Sequence, residues 1–219
     1  RQTTLTSAWA SGGNMNTARQ YLASASNGTP TATLSFGGSV SPNQQTESYN
    51  GSSWTEVNDL NIGRGALAGA GIQTAALAIG SGSPDNANTE TWNGTNWTEV
   101  NNLNTGRNAL GGQGTQTAAI AFGGNPPYRA ETEIWNGTNW TEVADLIDSR
   151  EWPGGAGTTT AAIAFGGQAP GYVASTEQWN GTAWYEVNDL NLGKAYMGGA
   201  GTSTSAIGFG GLHSPPATP

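Results

Sequence analysis

The 219-residue chain has no cysteine, one histidine and only seven lysines and arginines. The first absence excludes disulfides, thiolate metal sites and a cysteine nucleophile together. His213 stands alone in the C-terminal tail, so no second imidazole is present to build a metal site or a catalytic triad with it. The basic residues are scattered singly in a chain of net charge -8, which leaves no basic stripe to neutralise phosphates and makes nucleic acid an unexpected partner. Charged residues make up 10% of the sequence, yet no apolar run approaches the roughly 18 residues of a membrane span. No charged-then-apolar leader opens the chain, and Arg1 in place of Met is expected of a chain that has lost an upstream segment or is part of something longer.

Glycine, by contrast, occupies 34 positions, accompanied by abundant Thr, Asn, Ser and Ala. That composition suits short strands and tight turns and disfavours helix. The strongest pattern is a repeat marked by Trp9, Trp54, Trp97, Trp140 and Trp184, spaced 45, 43, 43 and 44 residues apart. A unit this short cannot bury a core alone and must share one with its neighbours. Within one copy the residues predict four strands: 96–100, 109–113, 117–122 and 131–135. Asn136-Gly137 then predicts a two-residue hairpin with positive φ at both positions, repeated at Asn50-Gly51, Asn93-Gly94 and Asn180-Gly181.

Four short antiparallel strands per 40 to 50 residues predict a propeller blade, and five copies predict a single all-β domain over 1–219, a five-bladed β-propeller. A two-sheet sandwich is the rival, disfavoured because equal repeats require equal environments. The last copy stops after Gly210-Gly211, and RQTTLTSAW at the start aligns with TETWNGTNW ending at Trp97. The N-terminal strands are therefore expected to complete the C-terminal blade and close the ring, leaving no open edge.

These residues resemble the kelch repeat, a family of β-propeller units. The resemblance lies in a Gly-Gly pair after a hydrophobic strand (Gly37-Gly38, Gly123-Gly124, Gly166-Gly167, Gly210-Gly211) and in an aromatic five residues before the repeat Trp, namely Tyr49, Trp92, Trp135 and Trp179. Arg19, Arg64, Arg107, Arg150 and Lys194 follow ten residues after each Trp. The match covers the chain and is similar to kelch-like repeats of marine phages and bacteria; it departs at Ile79-Gly80-Ser81 and at Thr4.

The paired aromatics are expected to pack between blades. Two carboxylate series, Glu47, Glu90, Glu133 and Glu177, then Glu56, Glu99, Glu142 and Glu186, are expected to pair with the repeated Arg or with backbone amides, since in-phase groups have like environments and cannot form one differently tuned catalytic pair. No cofactor, metal or enzymatic activity is expected. The longer connections, after Gly-Gly and before the repeated Arg, should share one face, and there the copies diverge (39–46, 82–89, 125–132, 168–175). That variation fits either drift or a composite binding surface of Trp152, Tyr21, Tyr196, Tyr128, Arg129 and Tyr172, the aromatic and Arg mixture favoured at hot spots. Trp152 is the one tryptophan outside the repeat pattern. The expected function is a recognition or adhesion module, extracellular or on a virion, binding glycan or a host surface component; the alternative is a structural decoration or spacer whose partners are neighbouring subunits of a larger assembly.

Overall fold

The computed structural model describes residues 12–81 and 87–213. The described chain is all-β with no helix, and each stretch of about one repeat folds into its own antiparallel meander. The first sheet is β1 (Ala23–Ser24), β2 (Thr33–Phe36), β3 (Thr46–Tyr49) and β4 (Trp54–Val57). The second is β5 (Ala68–Ile72), β6 (Ala75–Ile79), β7 (Thr89–Trp92) and β8 (Trp97–Val100). The third is β9 (Gly111–Thr115), β10 (Ala118–Phe122), β11 (Thr132–Trp135) and β12 (Trp140–Val143). The fourth is β13 (Gly154–Thr158), β14 (Ala161–Phe165), β15 (Thr176–Trp179) and β16 (Trp184–Glu186). The fifth has two described strands, β17 (Ala195–Thr202) and β18 (Ser205–Leu212). Residues 1–11, expected to complete this last sheet, lie outside the described residues, as does 82–86 of one variable loop.

The sheets pack side by side through their first strands, β1 against β5, then β9, β13 and β17. This propeller-like series replaces the two facing layers of a sandwich. Convergence of the first strands explains their glycines: a Cβ on Gly112 would lie 2.7 Å from the Ala68 Cβ, and one on Gly155 2.8 Å from the Phe122 ring. In the first four sheets the second strands carry the apolar bulk and are largely buried; Leu34, Phe36, Leu77, Ile79, Ile120 and Phe122 are fully covered.

The core lies between successive sheets, as the aromatic spacing predicts. Trp92 and Trp97 face each other across β7 and β8 at 5.4 Å, and Trp135–Trp140 and Trp179–Trp184 repeat the pair. The second Trp of each pair reaches back one sheet: Trp97, Trp140 and Trp184 donate their indole N–H to Thr46, Thr89 and Thr132 of the preceding sheet, each at 3.0 Å. A buried indole N–H needs such an acceptor, so one side chain supplies both apolar area and registration between neighbours.

The Arg and Glu series form a second lock. Arg19–Glu47, Arg64–Glu90, Arg107–Glu133 and Arg150–Glu177 are ion pairs whose side chains are at most 2% exposed. Each carboxylate also accepts from the link leading into its sheet: the amides of Asn16, Asn61, Asn104 and Ile147 donate to Glu47, Glu90, Glu133 and Glu177. Burial lowers the pKa of Arg19, Arg64 and Arg150, opposed by the adjacent glutamates. The second carboxylate series departs from expectation. Glu56, Glu99, Glu142 and Glu186 sit directly across the strand pair from the buried glutamates but face solvent. The repeated guanidiniums are already held by the inner glutamates, and none of the described ion pairs involves the outer ones.

The Asn-Gly turns are also built differently from the expected two-residue hairpin. Tyr49 pairs with Trp54, leaving a four-residue connection. Only the glycine takes a positive φ, 95° at Gly51 and 92° at Gly137. Asn50 acts through its side chain, its Oδ1 accepting from the amides of Ser52 and Ser53, and Asn93, Asn136 and Asn180 do likewise. This Asx turn gives Asn a role that does not require left-handed backbone.

Candidate functional site

The links that enter each first strand share an end of the molecule with the connections after Gly-Gly. Asn108 and Asn125 exchange backbone hydrogen bonds at 2.9 Å, Gln168 donates to Glu151 at 2.9 Å, and Ser39 donates to Gln20 at 3.0 Å. The expected pairing of the two long connections is therefore present.

At the start of each first strand one residue takes left-handed backbone geometry. These are Tyr21, Ala66, Ala109, Trp152 and Tyr196, with φ between 53° and 60°. For residues with a side chain this costs on the order of 1–3 kcal/mol each and persists only where the surroundings enforce it. The enforcement is visible in the backbone. Ala66 N–H donates to Tyr21 C=O, Ala109 to Ala66, Trp152 to Ala109, and Tyr196 to Trp152, a chain of hydrogen bonds at 2.8, 2.8, 2.6 and 3.4 Å running through all five repeats. Because Ala109 belongs to this chain, the strand predicted from 109 begins instead at Gly111.

Three of the five positions are large, and they touch. Trp152 lies 4.8 Å from Tyr196 and 5.2 Å from Tyr21 between ring centroids, and Tyr21 lies 6.4 Å from Tyr196. The residues that the sequence singled out thus come from the first, fourth and fifth repeats to one aromatic cluster. Tyr172 joins them in lining a cavity of about 600 Å³, to which Leu22, Leu67 and Leu110, each just before a first strand, also contribute. At the far end of the first sheet, Asn27 extends as a strut, its amide donating to Gly71 C=O and its Nδ2 to Gly114 C=O, both at 2.8 Å.

Burial raises the Tyr196 phenol above its ordinary pKa, and the charge of Glu151 with the phenols of Tyr21, Tyr172 and Tyr128 act in the same direction. Neither Tyr128 nor Arg129 lines the cavity, and the Arg129 Nη1 pairs with Glu131 at 2.7 Å. Burial works to raise the Glu131 carboxyl, but its own amide and Arg129 bring it below the usual carboxylate value.

Sequence reasoning did not single out Glu151 or the alanines. Burial pushes the Glu151 carboxyl up, partly offset by a hydrogen bond with Asn125. Its signal in the sequence is positional: the equivalent residues are Gln20, Gly65, Asn108 and Ala195, so a carboxylate occurs there in one repeat. Chemically, the mouth offers flat apolar faces edged by phenols and one carboxylate. That combination suits a ligand with an apolar face and hydroxyls at its rim.

No protein-family model matches the chain, and no curated protein matches it in sequence.

Proposed function

We propose that the protein is a non-enzymatic recognition or adhesion module of the kelch-like kind, a closed five-bladed propeller displayed outside the cell or on a virion, that binds glycan or another surface component through the face bearing the long connections. The observation that carries this reading is the cluster of Tyr21, Trp152 and Tyr196, three aromatic side chains on left-handed backbone at one mouth. A core does not need aromatics there, since Ala66 and Ala109 fill the same backbone position in two other repeats. Sugar rings stack on such faces through their C–H surface, with hydroxyls left to the phenols and to Glu151.

Closure of the ring is supported by the same cluster. Tyr21 of the first repeat and Tyr196 of the fifth lie 6.4 Å apart, as neighbours around an axis would. The sequence adds a paired change: Gln2 aligns with the buried glutamates, and Lys194 with the arginines that hold them. The carboxylate and the guanidinium are replaced together, as partners in one sheet would be. Assembly of many copies on a surface would then give avidity to weak single sites.

The test is a glycan array probed with the wild-type protein and with Trp152→Ala. The expected result is binding to a defined set of glycans, reduced at least tenfold by the substitution, with melting temperature nearly unchanged. A blank array, or equal binding by the variant, contradicts the reading.

A further inference from the structure

The five positions around the mouth are not equal, and the inequality points to where a ligand sits. Blade by blade the left-handed residue and the one before it read Gln20-Tyr21, Gly65-Ala66, Asn108-Ala109, Glu151-Trp152 and Ala195-Tyr196. The second repeat carries the smallest pair. Beside it opens a slot of about 440 Å³, walled by Tyr21 and Trp152, floored by Gly65 and Ala66, and reached by Ser39 and Asn43 from the first variable loop. That volume lies within the roughly 300–1,000 Å³ of small-molecule sites. The two rings pack against each other, tilted by 37° with centroids 5.2 Å apart, and both border the slot. Ser39 and Asn43 add a hydroxyl and a carboxamide to its lining.

Charge narrows the ligand class. Arg64 contributes to the slot, but its guanidinium is fully buried and committed to Glu90 at 3.0 Å. Every other described arginine is likewise in an ion pair. An anionic sugar would meet no available guanidinium there and would approach the carboxylate of Glu151, adjacent to Trp152 in the chain, within a protein of net charge -8.

Building on the glycan reading above, we propose that the mouth binds a single neutral hexopyranose per chain, stacked on Trp152 and Tyr21 over Ala66, in place of one weak sugar site in each repeat. The slot exists because the second repeat presents Ala where the first and fifth present Tyr.

The fold supplies its own blocking variant. Tyr21 and Tyr196 occupy the same left-handed backbone position at φ 57° and 60°, against 56° for Ala66, so Ala66→Tyr is compatible with the backbone and places a ring in the slot. Wild type, Ala66→Tyr, Trp152→Phe and Trp152→Leu are titrated with methyl glycosides of glucose, galactose and mannose and with methyl glucuronide, followed by calorimetry and tryptophan fluorescence. The expected result is one bound neutral glycoside per chain, at least tenfold weaker binding of the glucuronide than of the glucoside, and at least tenfold loss in Ala66→Tyr. Trp152→Phe keeps binding within severalfold while Trp152→Leu loses it, which reads the same wall even if Ala66→Tyr does not fold. Undiminished binding by folded Ala66→Tyr, or a stoichiometry near five, overturns the slot while leaving glycan recognition elsewhere on the face intact. Equal binding of the glucuronide overturns the neutral assignment, and no binding of any glycoside by wild type overturns both this slot and the reading it rests on.

Discussion

Glu133→Leu is expected to destabilise the protein by about 3–5 kcal/mol, a fall in melting temperature on the order of 10 °C for a domain of this size. The carboxylate is 1% exposed and holds four donors in place. Arg107 Nη1 reaches Oε1 at 2.5 Å, the Thr105 amide reaches the same oxygen at 3.4 Å, and the amide and Nδ2 of Asn104 reach Oε2 at 2.8 and 2.9 Å. Leucine fits the volume and satisfies none of them. The guanidinium, itself fully buried, is left as an uncompensated charge in a low-dielectric interface, which costs far more than the pair contributes. Two comparisons separate this from ordinary packing loss. Glu133→Gln keeps an acceptor for the Asn104 amide and should cost less than Leu. Adding Arg107→Met to Glu133→Leu should recover much of the loss, because the orphaned charge goes with it. Urea and thermal unfolding measure all three, and a melting temperature for Glu133→Leu close to wild type would contradict the interlock.

Deleting residues 1–12 should unfold the protein more readily as a whole, by at least about 3–5 kcal/mol, the scale of losing one buried tryptophan, where a frayed terminus would cost almost nothing. Among its described strands the fifth sheet lacks a partner for the outer edge of β18. In the other sheets the second strand is paired on both sides and covered; β18 is paired with β17 and exposed along its length, with Ile207, Phe209 and Leu212 at 55%, 43% and 58%. Thr176 continues the series of Thr46, Thr89 and Thr132, each of which accepts an indole N–H from the following sheet. In the aligned N-terminal segment the next indole in that series is Trp9. In the proposed closed ring, removing the segment would withdraw a fourth such contact and leave an apolar edge in water, a template for aggregation. Circular dichroism melts of the truncated chain check this, and an unchanged transition would remove the basis for closure.

The repeat made most of this architecture readable in the sequence, because identical spacing forces identical packing. Trp spacing gave the interfaces between sheets, and the Arg and Glu phases gave the ion pairs. What was not readable depended on geometry that several local sequences permit. Asn-Gly is compatible with a two-residue turn and with a four-residue Asx turn, and the side-chain cap at Asn50 decides between them. The outer glutamates recur with the same period as the inner ones, and only their place on the outermost strand leaves Glu99 on β8 in solvent while Glu90, its direct partner on the interior β7, is covered. The aromatic members of the site were legible as exceptions to the repeat, Trp152 above all. Its complement was not, since Gly65 and Ala66 look ordinary until the series of left-handed residues shows that small residues there leave a gap beside large ones.

The most direct measurement of the account is amide hydrogen exchange along β18, resolved by residue. A closed ring requires a further strand on its outer edge, so alternate amides from Ser205 to Leu212 should exchange as slowly as those of β6, β10 and β14. Rapid exchange on that edge, with β17-facing amides alone protected, would mean an open array and would contradict the closed axis on which the aromatic mouth depends.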